Sequence, residues 1–180
     1  MDKNIEKELK ILVSKDQFNE LKNAFEPLEF KTQVNTYYDS EDCIVEKRKG
    51  AMRIRSKNNT HIFTLKLFIN DDLHEYECNV QENSVDALNK KEIIDLLNEH
   101  KIHGPFHPTA TLKTKRAVFE NEFAELCFDI NYYNDMVDYE IEYEYKVEHD
   151  GYAIFNDILK KVNLKYTSNC KSKIQRALNK

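Results

Sequence analysis

The 180-residue chain has the length of one domain, and its 41% hydrophobic and 33% charged residues are typical of a globular protein. Its formal net charge of -5 argues against a general nucleic-acid or anionic-membrane surface, which would need a basic excess. No apolar run approaches the ~20 residues needed to cross a bilayer, and the opening MDKNIEKELK lacks the apolar core of a signal peptide. We therefore expect one domain over residues 1–180, located in the cytoplasm, without nucleic-acid or membrane partners.

The cysteines and glycines exclude further classes of protein. The four cysteines lie far apart with no C-x-x-C pair, so neither a zinc knuckle nor a redox dithiol is indicated. With three glycines in the chain, neither the G-x-G-x-x-G motif nor a P-loop can be written. Any anionic ligand must therefore be held by a local cluster of basic side chains.

Alternation of charged and apolar residues predicts strands, because successive side chains of a strand point to opposite faces. The six segments with this pattern are, in chain order, residues 5–12, 51–56, 60–68, 73–81, 123–131 and 138–148. The turn signal at residues 70–72 predicts that the third and fourth of these strands form a hairpin. On their charged faces, acids and bases cluster by strand.

Helical periodicity appears between the predicted strands. Three helices are expected, at about residues 15–25, at about residues 84–100, and after Gly151. Ser14 followed by Gln17 is a capping-box signature for the first helix, and Ser84 can cap the second. No linker or internal repeat divides the chain.

An alternating charged face ordinarily marks the solvent side of a sheet that packs on helices by its other face. Here the charges cluster by sign along strands, and the apolar faces are rich enough to pack against helices outside a closed barrel. The charged faces would then line an interior that is costly to dehydrate unless acids and bases pair or bind ions and ligand. The pattern predicts an α+β fold with a closed antiparallel β-barrel, helices packed outside, and a bound ligand.

The two kinds of charged cluster suit different parts of one ligand. Arginine and lysine suit the oxygens of a polyphosphate, and arginine can bind them bidentately. Carboxylates suit Mg²⁺ or Mn²⁺, hard cations that prefer oxygen ligands and commonly bridge protein carboxylates to phosphates. The expected cofactor is Mg²⁺ or Mn²⁺, and the expected partner is a small-molecule triphosphate.

The segment Glu6-Lys7-Glu8-Leu9-Lys10 matches the E-x-E-x-K opening of the CYTH superfamily, also called triphosphate tunnel metalloenzymes. Further matches follow in the family's order and approximate spacing: Tyr37-Tyr38-Asp39, Arg53-Ile54-Arg55, Thr64-Leu65-Lys66, Glu75-Tyr76-Glu77, Arg116, Asp129, Glu140-Ile141-Glu142 and Ser172-Lys173. The chain therefore resembles this family over essentially its whole length, from residue 5 to about residue 174.

The resemblance implies an eight-stranded antiparallel tunnel in which basic residues bind a triphosphate and acidic residues bind a divalent metal. The implied phosphate ligands are Lys10, Arg53, Arg55, Lys66, Arg116 and Lys173. The implied metal ligands are Glu6, Glu8, Asp129, Glu140 and Glu142, with Glu75 and Glu77 as further tunnel carboxylates. The residues expected to be catalytic are Glu6, Glu8, Lys10, Glu140 and Glu142. Many relatives have a basic residue two positions before the arginine, where this chain has Thr114 between Lys113 and Lys115.

The expected activity is metal-dependent hydrolysis of a triphosphate, which is inorganic triphosphate, thiamine triphosphate or a nucleoside triphosphate. The resemblance also allows a class IV-type adenylate cyclase, in which the ribose 3′-hydroxyl attacks the α-phosphate. A third hypothesis is a non-catalytic polyphosphate-binding module, although the complete carboxylate set argues against it. The general base is left open between a carboxylate and the metal.

Other motifs point to structure rather than chemistry. The three histidines of residues 100–107 could form a metal cluster, but a Gly-Pro break between them favours a loop. Tyr139, Tyr143 and Tyr145 alternate with acids, and we expect a helix to cover this aromatic face. No local signature of a nucleophilic serine or cysteine is present.

Overall fold

The computed structural model describes residues 1–25 and 27–178, which contain nine strands and five α-helices. The strands are β1 Asp2–Glu6, β2 Glu8–Val13, β3 Lys31–Ser40, β4 Ala51–Lys57, β5 Thr60–Ile69, β6 Asp72–Val80, β7 Phe106–Glu120, β8 Ala124–Tyr133 and β9 Met136–Tyr145. The helices are α1 Lys15–Asn23, α2 Ile44–Lys47, α3 Lys91–Glu99, α4 Gly151–Leu159 and α5 Lys173–Ala177. Short 3₁₀ turns at Asp86–Asn89 and Lys160–Val162 precede α3 and follow α4.

The strands form one sheet in the order β1-β6-β5-β4-β3-β7-β8-β9-β2. Each strand pair whose register is described is antiparallel, which confirms the predicted α+β class with an antiparallel sheet. The strand predicted at residues 5–12 is divided at Lys7, because β1 pairs with β6 whereas β2 pairs with β9. The structure therefore has nine strands where eight were expected.

Three hairpins turn through two residues with positive φ and without glycine. The turn residues are Asn58-Asn59, Asn70-Asp71 and Asn134-Asp135, with φ between 47° and 69°. Two-residue hairpin loops favour positive φ at both positions, and asparagine and aspartate tolerate it better than most residues. The second of these turns joins β5 to β6, so the hairpin predicted from residues 70–72 is confirmed.

Residues 1–6, 33–112 and those from Lys173 onwards form the first of two compact units. In this unit Ile54 of β4 and Leu65 of β5 are fully buried and belong to one apolar cluster with Ile93 of α3. Because strand side chains alternate, the charged residues of β4 and β5 share the opposite face. The predicted division between an apolar face against a helix and a charged face is confirmed here.

The second unit contains Lys7–Thr32 and Lys113–Ser172. Its apolar cluster joins strands β8 and β9 to helices α1 and α4. The ring of Tyr139 lies 5.2 Å from that of Phe18, and the ring of Tyr143 lies 5.8 Å from that of Phe155. The expectation that helices cover the tyrosine face is therefore confirmed.

The predicted helix starts differ in outcome. Ser14 and Gln17 form the full capping box, since Gln17 N–H donates to Ser14 Oγ at 3.2 Å and Ser14 N–H donates to Gln17 Oε1 at 3.0 Å. Ser84 Oγ accepts from the N–H of Ala87 at 3.3 Å, but the helix predicted at 84–100 is divided into a 3₁₀ turn and α3. Among the described residues, every helix is too short or too polar to span a bilayer.

Candidate functional site

In the first unit, one face of the strands carries half of the predicted site residues. They are Glu6 on β1, Arg53 and Arg55 on β4, Lys66 on β5, and Glu75 and Glu77 on β6. The register places Lys66 opposite Glu75, and it places Thr64 between Arg53 and Glu77. Residues that are distant in sequence are thus brought side by side by strand pairing.

The ammonium group of Lys66 is shared by two carboxylates of this face. Its Nζ donates to Glu6 Oε1 at 2.6 Å and lies 3.0 Å from Glu75 Oε2. The three side chains are between 12% and 19% exposed, so water screens their attraction less than at an open surface. A predicted phosphate ligand therefore contacts a predicted metal ligand directly.

Arg53 carries a polar atom without a partner. Its Nε is buried, and no hydrogen-bond acceptor for it exists among the described residues. Burial by itself lowers the pKa of this guanidinium, but Tyr37, Glu75 and Glu6 together raise the pKa above its usual value, so Arg53 keeps its charge. A buried donor without an acceptor costs free energy, and an oxygen of an anionic ligand would satisfy it.

Two further residues of this face are held by neutral neighbours. Arg55 Nε donates to Asn35 Oδ1 at 3.3 Å, and Glu77 Oε1 accepts from Thr64 Oγ1 at 2.8 Å. Glu77 keeps the lone pairs of its second oxygen for other contacts, because a carboxylate accepts at both oxygens.

In the second unit, Arg116 of β7 lies among three carboxylates. Its Nε and Nη2 donate to the two oxygens of Asp129 at 2.8 and 2.6 Å, which is a bidentate contact. Nη2 also donates to Glu142, and Nη1 donates to Glu144 at 3.3 Å. Burial opposes the charge of Arg116, but Asp129 and Glu142 raise its pKa well above the usual value.

Strand β2 adds Glu8 and Lys10 to the charged face of the second unit. Glu8 lies opposite Glu144 of β9, Lys10 lies opposite Glu142, and the Nζ of Lys10 donates to Glu8. Glu140, which is fully buried, lies opposite Asp129. Six predicted site residues share this face: Glu8, Lys10, Arg116, Asp129, Glu140 and Glu142. Its many carboxylate oxygens give it the donor chemistry that hard divalent cations prefer.

Two side chains on this face were not among the predicted site residues. Glu144 follows Glu142 in the same alternation, so the sequence contained the signal that places it here. Cys127 is fully buried on β8, and its Sγ lies 3.9 Å from Glu144 Oε1. Burial raises the pKa of the Cys127 thiol well above its usual value although Arg116 opposes this, so the thiol stays protonated at neutral pH. A lone cysteine has no spacing signal by which sequence could have found it.

Lys173 and the three histidines lie outside the strands' charged faces. Lys173 is the half-buried first residue of α5. His100 follows α3, its ring packs 5.2 Å from that of Tyr76, and burial lowers its pKa. Residues 102–105 form the expected loop, but His107 is already part of β7.

A sequence model of the CYTH domain matches residues 4–178. The chain belongs to the CYTH family. It is 28% identical over 170 residues to YjbK of Bacillus subtilis (strain 168), a candidate triphosphatase, and the match covers 91% of this chain and 90% of YjbK.

Solved structures share the fold of this CYTH chain. A candidate adenylate cyclase from Bacillus halodurans is 33% identical and superimposes with a TM-score of 0.86 over 98% of both chains, which confirms the family fold predicted from sequence. The candidate adenylyl cyclase HpAC1 from Hippeastrum has a TM-score of 0.76 at 21% identity and covers 97% of this chain and 96% of its own; its structure is described as revealing a dominant triphosphatase activity. At that identity, HpAC1 shows the fold alone.

The position of Thr114, where the chain departs from many CYTH relatives, is resolved by the strand register. Thr114 lies opposite Asn131 on the face of Arg116, so the register is not shifted. Its Oγ1 donates to Asn131 Oδ1 at 2.7 Å, and Asn131 Nδ2 donates to Asp138 Oδ1 at 2.9 Å. Lys113 and Lys115 are exposed on the other face. A neutral hydrogen-bonded row therefore replaces the basic residue at this position.

Asn169 fastens the backbone of β2, and its replacement by alanine is expected to destabilise the protein by about 1–2 kcal/mol. Its Oδ1 accepts from the N–H of Lys10 at 2.7 Å, and its Nδ2 donates to the carbonyl of Glu8 at 3.1 Å. Both hydrogen bonds are lost in Asn169→Ala, and urea unfolding measures the change. The neighbouring exposed Ser168→Ala serves as control and should stay within about 0.5 kcal/mol of the wild type. Equal stability of the two variants would contradict the role of Asn169.

Proposed function

We propose that this CYTH chain hydrolyses a triphosphate with Mg²⁺ or Mn²⁺ as cofactor and releases orthophosphate. The observation that carries the proposal is the Nε of Arg53, which is buried, charged and without an acceptor. A phosphate oxygen supplies the missing acceptor together with the opposite charge. The proposed phosphate ligands are Lys10, Arg53, Arg55, Lys66, Arg116 and Lys173.

The proposed metal ligands are the carboxylates of Glu6, Glu8, Asp129, Glu140 and Glu142, and Glu144 is added to them. Several of these side chains are nearly inaccessible to water, as Glu140 at 0% and Glu142 at 4% exposure show. Buried carboxylates are costly unless cations or donors compensate them, which favours a cation at this face. When bound, the cation polarises phosphoryl oxygens and lowers the pKa of water. Glu75 and Glu77 are proposed as further carboxylates of the first unit.

In the proposed reaction water attacks the terminal phosphorus, the P–O bond of the anhydride breaks, and orthophosphate leaves. Basic side chains neutralise charge on the phosphate oxygens as it shifts in the transition state. The names of relatives support this chemistry, since YjbK is a candidate triphosphatase and HpAC1 is described with triphosphatase activity. The Bacillus halodurans relative, a candidate adenylate cyclase, supports the alternative of a cyclase.

One experiment distinguishes the hydrolase from its alternatives. The protein is incubated with ATP, thiamine triphosphate or inorganic triphosphate, each with Mg²⁺ or Mn²⁺, and the products are identified. Orthophosphate from any of them supports the hydrolase. Cyclic AMP and pyrophosphate from ATP would identify a class IV-type adenylate cyclase. Tight binding without any product would identify a polyphosphate-binding module.

Removal of metal is expected to abolish turnover. With excess EDTA no product should form, and activity should return when Mg²⁺ or Mn²⁺ is added above the chelator concentration. The physical reason is that the carboxylates can bring neither an attacking water nor an additional positive charge to the phosphate by themselves. Undiminished turnover in excess chelator would overturn the metal assignment.

A further inference from the structure

The side chains proposed to bind phosphate are paired with the side chains proposed to bind metal. Lys10 forms an ion pair with Glu8 in the second unit. Lys66 forms an ion pair with Glu6 in the first unit. In each unit, the same contact joins a group meant for an anion to a group meant for a cation.

These pairs are shielded from water, unlike the surface pairs of the chain. The side chains of Lys10 and Glu8 are 15% and 9% exposed, and those of Lys66 and Glu6 are 19% and 12% exposed. The pair of Lys7 with Glu148, whose side chains are 52% and 79% exposed, is fully open to solvent screening. Breaking a shielded pair leaves two charges in a medium that solvates them poorly, so the cost is higher than at the surface.

Arg116 repeats the arrangement with several carboxylates. It contacts Glu142, whose side chain is 5% exposed, as well as Asp129 and Glu144. Three of the proposed phosphate ligands therefore already hold proposed metal ligands.

We propose that Lys10 and Lys66 occupy these carboxylates until both ligands arrive together, so that the form of substrate the protein accepts is the metal–triphosphate complex. Glu6 and Glu8 then exchange an ammonium group for the divalent cation, and the two lysines exchange a carboxylate for phosphate oxygens. This inference rests on the proposed function.

The exchange makes the two binding steps depend on each other. Glu6 can bind a divalent cation alone only if it releases Lys66, whose charge is then poorly compensated. Lys66 can bind triphosphate alone only if it leaves Glu6 in the same condition. When both ligands are present, each charged group changes one partner for another, and this cost disappears. By linkage, each ligand must raise the affinity for the other by the same factor.

The decisive measurement is the affinity for Mg²⁺ without triphosphate, determined by titration calorimetry. In Lys66→Gln the carboxylate of Glu6 no longer has to release an ammonium group, so Mg²⁺ should bind about tenfold more tightly than to the wild type, or ~1.4 kcal/mol. Lys10→Gln should act in the same direction through Glu8 and provides an independent second test. Melting curves verify that each variant is folded before titration.

Two matched variants separate pairing from general charge. Lys7→Gln removes the same charge from the residue between Glu6 and Glu8 in sequence, but the ammonium group of Lys7 pairs with exposed Glu148 at 2.7 Å. It should leave Mg²⁺ affinity within about twofold of the wild type because solvent screens the change. Lys66→Arg keeps the positive charge and should not tighten Mg²⁺ binding.

A second titration measures inorganic triphosphate binding in EDTA, where turnover is absent. Lys66→Gln should bind triphosphate more weakly than the wild type, and Lys7→Gln should not. The opposite response of one variant to metal and to triphosphate is the signature of the exchange. Unchanged or weaker Mg²⁺ binding in Lys66→Gln, or equal tightening in Lys7→Gln, would overturn the exchange alone if the wild type binds both ligands. A wild type that binds neither ligand would overturn the proposed function as well.

Discussion

The Glu142→Gln variant is expected to lose turnover by about 10²-fold or more while it remains folded. Glu142 is 4% exposed, donates no charge-neutral alternative to the metal, and accepts a hydrogen bond from Nη2 of Arg116. Glutamine keeps the volume and an oxygen that can accept from Arg116. It lacks the negative charge that a divalent cation requires of its ligands.

Melting curves give a second, independent result for this variant. Without metal its melting temperature should equal or exceed that of the wild type, because removing one carboxylate near Asp129 and Glu144 reduces like-charge repulsion. The extra stability gained on adding Mg²⁺ should shrink, because binding to the native state weakens. Glu8→Gln should behave in the same way. Glu148→Gln, at a side chain 79% exposed, is the control and should change neither quantity. A fully active Glu142→Gln with an intact Mg²⁺ response would exclude Glu142 from the site.

The Arg116→Met variant is expected to lose about 3–5 kcal/mol of stability without metal. Asp129 is fully buried and would lose the bidentate partner that now contacts both of its oxygens. Glu142 and Glu144 would lose the same guanidinium. Methionine is similar in length but compensates none of this negative charge. Urea unfolding with and without Mg²⁺ measures the loss.

Arg116→Lys distinguishes the loss of charge from the loss of geometry. Lysine keeps the positive charge but cannot bind both oxygens of Asp129 in a fork, so an intermediate loss is expected. Added Mg²⁺ should restore more stability to Arg116→Met than to the wild type, because a cation then replaces the missing charge. A loss below about 1 kcal/mol in Arg116→Met would show that solvent screens this cluster, contrary to its burial.

Alternation found most strands because their polar and apolar faces differ sharply. Arg53 and Arg55 alternate with buried Met52 and Ile54, so β4 could be predicted within one residue of its observed end. The acids of β9 alternate with tyrosines in the same way. In these segments the residues that a helix must cover are the apolar ones, and sequence identifies them directly.

Strands β3 and β7 escaped periodicity for opposite reasons. In β3 the buried residues include Gln33, Asn35 and Asp39, so the pattern of polarity does not report burial. Asp39 is buried because its carboxylate accepts the backbone N–H groups of Val45 and Glu46 in α2. In β7 threonines and prolines weaken the alternation, and only the resemblance to a family had marked Arg116.

The sequence by itself determined the class of fold, the family, and which residue types face away from the apolar clusters. These properties follow from local alternation and motif order, which are readable along the chain. Only the tertiary structure decided that Lys66 holds Glu6, that Arg116 collects Asp129, Glu142 and Glu144, and that the Nε of Arg53 lacks an acceptor. The reason is that pairing between strands distant in sequence sets the distances between charges, and those distances decide which charges compensate one another.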